Sequence, residues 1–592
     1  MIPFAKNHLW SNAAYALLAL FLLVSCETEK EDKAADFQTH FEETNGEETA
    51  TYPQTVDFYI QLAKEFPEIN MQTMGETDSG YPLHIVTYNP DGDFNFQKIG
   101  GDKTIILINN GIHPGEPDGI DATMLLYRDF ATGKLEPPKN TVLVTIPIYN
   151  IGGALNRNST TRANQNGPKA YGFRGNALNY DLNRDFIKGD TNNARSFYEI
   201  FHHVKPDIFI DNHVSNGADY QYTLTHLFTQ HDKLGGELGQ YLNDEMMPGL
   251  EKSLKEADWD ITPYVNVFDQ VPEKGFSQFI DYPRYSTGYT TLWNTLGMMV
   301  ETHMLKPYKQ RVQGTYRLME KMVAIAEIDH EKIKRLRAEA KHRHKYWKFY
   351  PTAWEIDSTR TSILNFKGFE ADTLTSEVTG QTRLKYDRNR SFVKPVEYHN
   401  YITPLDSVEI PEAYILKKGW SKVINLFALN QIVVKALQKD TLLTVESYKI
   451  DTFETSDVPY EGHYPHSNTK VKSNLENVKF QQGDIVIPTD QPGIRYLLET
   501  LEPEANDSFF NWNFFDPILQ RKEGFSPYVF EDEALEMLQN NSVLRDSFRL
   551  KKEKNPEFEA NGYAQLDWLF KQSEHYEEAY LQYPVYRLMK TD

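Results

Sequence analysis

The sequence predicts an α/β fold: a mixed, largely parallel sheet flanked by helices, followed by a β-rich domain and a helical C-terminal segment. Three observations lead there. Apolar runs at 103–110 (KTIILINN), 141–149 (TVLVTIPIY), 207–211 (DIFID) and 297–301 (GMMVE) lack polar alternation, as strands buried on both faces do. Helix-like segments such as 118–130 and 192–204 lie between them, and strands alternating with helices make parallel sheets. Beyond about residue 350 the chain turns to Thr, Ser, Val and Tyr with turn residues between short runs (SILNFKGFEADTL, GDIVIPTD), which reads as β structure.

Taken in order, residues 1–25 carry Lys6 and an apolar run from Ala13 to Val24 broken only by Tyr15. That run is too short to span a bilayer comfortably and ends in small residues, as a secretory signal does. Leu23-Val24-Ser25-Cys26 resembles the lipobox of bacterial lipoproteins, in which the cysteine becomes the lipidated first residue of the mature chain. The resemblance implies export across the inner membrane and a lipid anchor at Cys26, on the periplasmic face or cell surface of a bacterial envelope. Residues 26–50 are acidic and poor in apolar side chains, the composition of a flexible tether, and Lys30-Glu31-Asp32 resembles a surface-export signal. Residues 51–346 form the α/β domain, closed by a helical stretch from Tyr308 to about Tyr346 whose basic run, KRLRAEAKHRHKYW, reads as a solvated helix end. Residues 347–490 form the β-rich domain. Residues 491–592 are helical, with EDEALEMLQ and AQLDWLFKQS amphipathic, and the aromatic run FFNWNFFD at 509–516 reads as core.

Composition narrows the function classes. Among 592 residues, 84 are acidic and 62 basic, a formal net charge of −22, so nucleic acid is not expected as a partner, because phosphate binding needs surplus Lys and Arg. One cysteine excludes an internal disulfide framework and a Cys-rich metal site. A metal here must be held by His, Asp and Glu.

NNGIHPGEPDGIDATMLLYRDF supplies two such ligands. His113 and Glu116 form an H-x-x-E pair at the exit of an apolar strand, in a Pro-Gly turn that can fold an imidazole and a carboxylate to one side. Two other H-x-x-E matches, His40–Glu43 and His575–Glu578, lack that strand–turn–helix setting. In KPDIFIDNHVSN, His213 follows another apolar run and completes a His₂Glu set, the donor count of catalytic zinc with one position left open. Water attack on a polarised carbonyl needs a base that is not itself a ligand. Glu301, in GMMVETHM, ends a further apolar run and fits that part; His303 shares its face and is left without a role. In GFRGNALNYDLNRDF, Asn183 and Arg184 offer an amide and a guanidinium fork suited to a carboxylate, and Asp181 can fix the tautomer of a ligating histidine.

The succession H-P-G-E, D-L-N-R, a strand-borne His and a strand-borne Glu resembles the zinc carboxypeptidase family over roughly residues 52 to 330, in the H-P-G-E form of cytosolic-type carboxypeptidases and some amide-cleaving relatives. The resemblance implies one zinc ion per chain on His113, Glu116 and His213, with Glu301 as base. It also implies a substrate terminal carboxylate on Asn183 and Arg184, with Asp181 behind a ligand. Family members use an arginine to stabilise the oxyanion; Arg157, Arg162 and Arg174 compete, and Arg162 is favoured by its distance from YNIGG. A mobile tyrosine is assigned to Tyr285, with Tyr282 and Tyr289 near it. Asp185 stands where many members carry a second Asn.

The leading expectation is a lipid-anchored zinc metallocarboxypeptidase acting on peptides with a free C-terminal carboxylate. The alternatives are a zinc amidohydrolase or peptidase acting on cell-wall peptides or N-acyl amino acids, and a non-catalytic peptide-binding lipoprotein. Retention of the base with all three ligands counts against the last.

Overall fold

The computed structural model describes residues 37–590, so residues 1–25, read from sequence as a secretory signal, and Cys26 lie outside the described residues. An eight-stranded mixed sheet runs in the order β1-β2-β4-β3-β5-β9-β6-β7. Its strands are β1 (Ile69–Glu76), β2 (Pro82–Tyr88), β3 (Thr104–Asn109), β4 (Thr141–Ile146), β5 (Ile208–Ser215), β6 (Leu224–Phe228), β7 (Ile261–Pro263) and β9 (Leu296–His303), with the short β8 (Phe276–Ser277) outside it. The centre, β4-β3-β5-β9, is parallel, whereas β1, β2 and the β6–β9 pairing are antiparallel.

Every residue of β3, β4 and β5 is buried, which is why these strands read as unbroken apolar runs. Alternation reappears in what each side chain touches. Ile105 and Leu107 face one layer with Phe197 and Phe201 of helix Asn192–Val204. Ile106 and Ile108 face the other, with helices Asp118–Ala131 and Tyr308–Ile328. Phe197 meets the rings of Phe186, Phe209 and Tyr289 at 4.9, 5.9 and 6.2 Å, and truncating such a side chain to Ala costs about 3–5 kcal/mol.

The helical stretch after Tyr308 is interrupted. Helices Tyr308–Ile328 and His330–Arg343 meet at Asp329, whose carboxylate accepts from the Tyr241 hydroxyl at 2.7 Å. Its basic run is not wholly solvated: Arg337 is buried, paired with Asp207 and donating to the Asn294 carbonyl at 2.9 Å, and Lys334 reaches the same Asp207 at 2.6 Å.

Residues 37–50, which composition gives to the tether, are folded onto the α/β domain. Thr39 and Glu42 form a capping box on helix His40–Glu43, Phe41 packs edge-on against Tyr308 at 5.8 Å, and Glu42 pairs with Arg128 at 2.5 Å. Phe37 against Phe66 at 5.5 Å, with Phe41, and the pairing of Glu47 with Lys169 at 2.5 Å, with that of Glu42, fix a segment whose average hydrophobicity is low.

The remainder is β-rich. Strands β10 (Phe349–Ile356) and β13 (Ile402–Glu409) pair, and the hairpin β11 (Ser362–Thr375) and β12 (Thr382–His399) takes up β8 along β12. A six-stranded sheet follows in the order β15-β18-β14-β19-β16-β17. It comprises β14 (Ala413–Leu416), β15 (Lys435–Ala436), β16 (Thr441–Thr455), β17 (His466–Phe480), β18 (Ile485–Pro488) and β19 (Gln582–Leu588). The C-terminal segment is helical until β19, which returns to lie between β14 and β16. Phe509, Phe510, Trp512 and Phe515 are buried, and the layer holding Phe197 and Tyr289 continues through Leu426, Tyr496, Leu497 and Phe509. The two halves therefore share a core. No helix among the described residues is long and apolar enough to cross a membrane.

Candidate active site

The C-terminal ends of the parallel strands β3, β5 and β9 converge on a cavity of about 340 Å³, lined by His113, Glu116, Arg162, Arg174, Asn183, Arg184, His213, Tyr285 and Glu301 among others. A larger hollow of about 1270 Å³ elsewhere holds none of these residues.

After β3 the chain turns at Gly111, whose φ of +63° suits glycine. The Glu116 N–H donates to the His113 carbonyl at 2.8 Å, closing the turn that puts both side chains on one side. Gly115 lets Arg162 cross the turn: a Cβ there would lie 2.7 Å from Arg162 Cδ. Glu116 Oε2 lies 3.4 Å from His113 Nδ1 and 3.2 Å from His213 Nδ1, and one donor atom from each residue falls within 4.8 Å of the others. Donors at 2.0–2.1 Å around a tetrahedral ion stand about 3.3 Å apart, so this spacing fits zinc.

Both imidazoles are backed by carboxylates on their far nitrogens. His113 Nε2 is 2.9 Å from Asp181 Oδ1. His213 Nε2 is 3.0 Å from Asp211 Oδ2, although the ring is turned so that no well-directed hydrogen bond forms. Each histidine thus offers Nδ1 inward, the orientation that carboxylate–histidine–metal arrangements impose. Sequence reading found Asp181 and missed Asp211. The signal was available: D-N-H on a strand puts Asp and His on one face.

Glu116 is buried, and burial alone would raise its pKa; Arg162 and the two histidines reverse this and hold it well below the ordinary carboxylate range. The Val214 N–H also donates to Oε2 at 2.9 Å. Glu301 differs. It pairs in register with His213, and its carboxylate has no hydrogen bond or ion pair among the described residues. Burial pushes its pKa up to about 7; the negative Glu116 and Asp211 add to this, against the pull of His213.

Two arginines reach the centre. Arg162 donates from NH1 to Glu116 Oε1 at 2.8 Å and from Nε to Gln165 at 2.5 Å. Arg174 holds Asp181 Oδ2 through Nε and NH2 at 3.0 and 2.7 Å, leaving NH1 3.3 Å from His113 Nδ1 and 3.5 Å from Glu116 Oε1. Arg157 bonds instead to the Ala170 and Thr49 carbonyls.

Asn183 and Arg184 ride a short 3₁₀ turn, Leu182–Arg184, capped by Asp181, whose Oδ1 accepts from the Asn183 N–H at 2.9 Å. Asn183 Oδ1 accepts from the Ser286 N–H at 3.1 Å, and Arg184 NH1 donates to the Asn183 carbonyl at 2.8 Å. Asn183 Nδ2 and Arg184 NH2 have no acceptor among the described residues. The Arg184 guanidinium lies 4.7 Å over the Tyr285 ring. Tyr285 lines the cavity, whereas Tyr282 sits by Lys233 and Tyr289 is a buried core residue bonded to Asn430 at 2.6 Å. Tyr264, unmarked in the sequence, also lines the cavity; burial and the nearby Glu301 keep its phenol protonated.

No family model matches this chain, and no curated protein matches it. Among solved structures it is similar to a metallo-carboxypeptidase from Burkholderia cenocepacia, at 14% identity over 48% of this chain and 70% of that one, with a TM-score of 0.36. It is similar to the carboxypeptidase A from Helicoverpa armigera at 12% identity over 48% of this chain and 75% of that one, TM-score 0.36. A metallo-carboxypeptidase from Pseudomonas aeruginosa is similar at 12% identity over 48% and 70%, TM-score 0.35.

Proposed function

We propose that this chain is a zinc-dependent exopeptidase of the carboxypeptidase type, releasing C-terminal residues from peptides. One observation carries the reading. Three donors spaced for a tetrahedral ion share a cavity with an unpaired carboxylate, Glu301, and with two unpaired carboxylate-binding donors, Asn183 Nδ2 and Arg184 NH2. His113, Glu116 and His213 would hold the metal, one ion per chain; when bound, it supplies Lewis acidity toward a carbonyl and water of lowered pKa. Asn183 and Arg184 take the substrate's terminal carboxylate by charge-assisted hydrogen bonds and so set the bond next to it against the donors. Glu301 accepts the proton of the attacking water and returns it to the leaving amine. Arg174, its fork fixed by Asp181, aims NH1 toward the centre and stabilises the oxyanion; Arg162, the choice from sequence, holds Glu116 beside it. Tyr285 closes over the bound terminus.

The lipobox sequence at Cys26 supports anchorage of the enzyme to a bacterial envelope membrane, outside the cytoplasm. Mass spectrometry of products from a mixed peptide library tests the activity: zinc-loaded protein is expected to release single residues from free C-termini. Internal cleavage, or no hydrolysis at all, overturns the proposal.

A further inference from the structure

The loop joining β16 to β17 belongs to the C-terminal half, yet it ends on the carboxylate-binding side of the site. Tyr460 OH accepts from Arg184 Nε at 2.9 Å. Glu461 Oε2 accepts from the Asp181 N–H at 2.8 Å, at the cap of the turn that carries Asn183 and Arg184. His463 Nε2 lies 2.7 Å from Asp190. Gly462, at a φ of +78°, passes so close to Tyr180 that a Cβ would lie 2.6 Å from its hydroxyl.

The loop is itself braced. Tyr460 and His463 exchange backbone hydrogen bonds at 2.7 and 3.1 Å, and the Tyr460 ring stacks on buried Trp512 at 6.1 Å. Neither Tyr460 nor Glu461 lines the cavity; Tyr460 holds Arg184, which does, and Glu461 holds Asp181, the cap of the turn that carries Asn183 and Arg184 into it.

We propose that Tyr460 and Glu461 are positioning residues through which the C-terminal half completes the carboxylate-binding site. The inference rests on the carboxylate-binding reading of Asn183 and Arg184. A guanidinium has five N–H donors in one plane. In Arg184, Nε is held by Tyr460, NH1 by the Asn183 carbonyl, and the plane rests on Tyr285. Those contacts fix the plane and leave NH2 directed by constraint, so a carboxylate meets a fork already oriented. Glu461 does the same for the turn, because the Asp181 N–H it accepts from is otherwise without a partner. Neither contact has a local sequence signature, since Tyr460 lies 276 positions from Arg184.

The test uses the full chain loaded with zinc and a peptide supplied as free acid and as C-terminal amide. Wild type is expected to favour the free acid in kcat/KM. Tyr460→Phe keeps the ring and removes the acceptor; KM for the free acid should rise about tenfold, the scale of one oriented hydrogen bond to a charge, with kcat and zinc content little changed. Glu461→Ala should act likewise, and Glu461→Gln, which keeps an acceptor oxygen, should restore wild-type KM. If wild type favours the free acid but neither Tyr460→Phe nor Glu461→Ala changes KM, the positioning role is refuted while the carboxylate reading stands. If wild type cuts acid and amide equally, the carboxylate reading fails and takes this inference with it.

Discussion

His213 and Glu301 lie directly opposite one another in the parallel pair β5–β9. Adjacent strands are about 4.8 Å apart, and side chains in register share a face. A candidate ligand and the candidate base are therefore placed by neighbouring strands of the central sheet, and their spacing does not depend on a loop.

Replacing Glu301 with Gln should lower kcat by at least ~100-fold, the scale of a lost general base, while zinc content stays the same. Activity requires the carboxylate form, so kcat/KM of the wild type should fall as pH drops through the Glu301 pKa. Burial sets that value near 7 in the metal-free site, and a bound cation moves it lower. The residual activity of the Gln variant should lack this acid limb. Parallel pH profiles decide it; an unchanged limb in the variant assigns the titration to another group.

Asp211→Asn tests the carboxylate behind His213. Asp211 is fully buried, accepts from Ser286 Oγ at 2.5 Å and from Asn109 Nδ2 at 3.1 Å, and faces His213 Nε2 at 3.0 Å. Asn retains the shape and removes the charge, so the fold should persist while zinc affinity falls about 10–100-fold. Competition against a chromophoric chelator measures it, and an unchanged affinity would remove Asp211 from the site.

Zinc loading should release protons. Burial pulls the His213 pKa down, but the charge of Asp211, the Glu116 carboxylate hydrogen-bonded to Nδ1 and the charge of Glu301 prevail and raise it well above the ordinary value, so the metal-free imidazole is protonated at neutral pH. A ligating imidazole must be neutral, and binding therefore expels that proton and weakens as pH falls. Calorimetry at pH 7 in two buffers of different ionisation enthalpy reads the count; a heat independent of buffer contradicts the assignment.

The sequence disclosed what local chemistry encodes. β3, β4, β5 and β9 were legible because burial on both faces removes polar alternation, and His113 with Glu116 was legible because a Pro-Gly turn follows such a strand. Asp211 was legible in principle, two residues before His213 on one strand. The short edge strand β7 and the closing strand β19 carry only three and seven residues, too few to outweigh their surroundings. Tyr264 and Tyr460 left no trace, because each reaches the site from a segment whose own pattern is unremarkable. Residues 37–50 misled because composition averages over the few side chains that dock the segment, among them Phe37, Phe41, Glu42 and Glu47.

Glu499→Gln should stabilise the protein above neutral pH and not below pH 4.5. The Glu499 side chain is buried in the shared core, where Oε1 accepts from the Tyr350 hydroxyl at 2.8 Å. Neighbouring Arg495 donates to the carbonyls of Thr291, Lys233 and Leu234. Burial raises the Glu499 pKa from 4.5 to about 7, with Lys233 and Tyr350 opposing it only in part. Between those values the folded chain keeps a proton that the unfolded chain has released, so this group's contribution is fully present below pH 4.5 and lost as pH rises through about 7. A shift of that size corresponds to about 3 kcal/mol, which sets the scale of the gain at pH 8 when a neutral amide replaces the carboxylate. Thermal midpoints of both proteins at pH 4.5 and pH 8 should therefore coincide at the lower pH and separate at the higher, with the variant melting later. Equal shifts at both values, or a variant that melts earlier at pH 8, would show that Glu499 is ionised and paired in the folded protein.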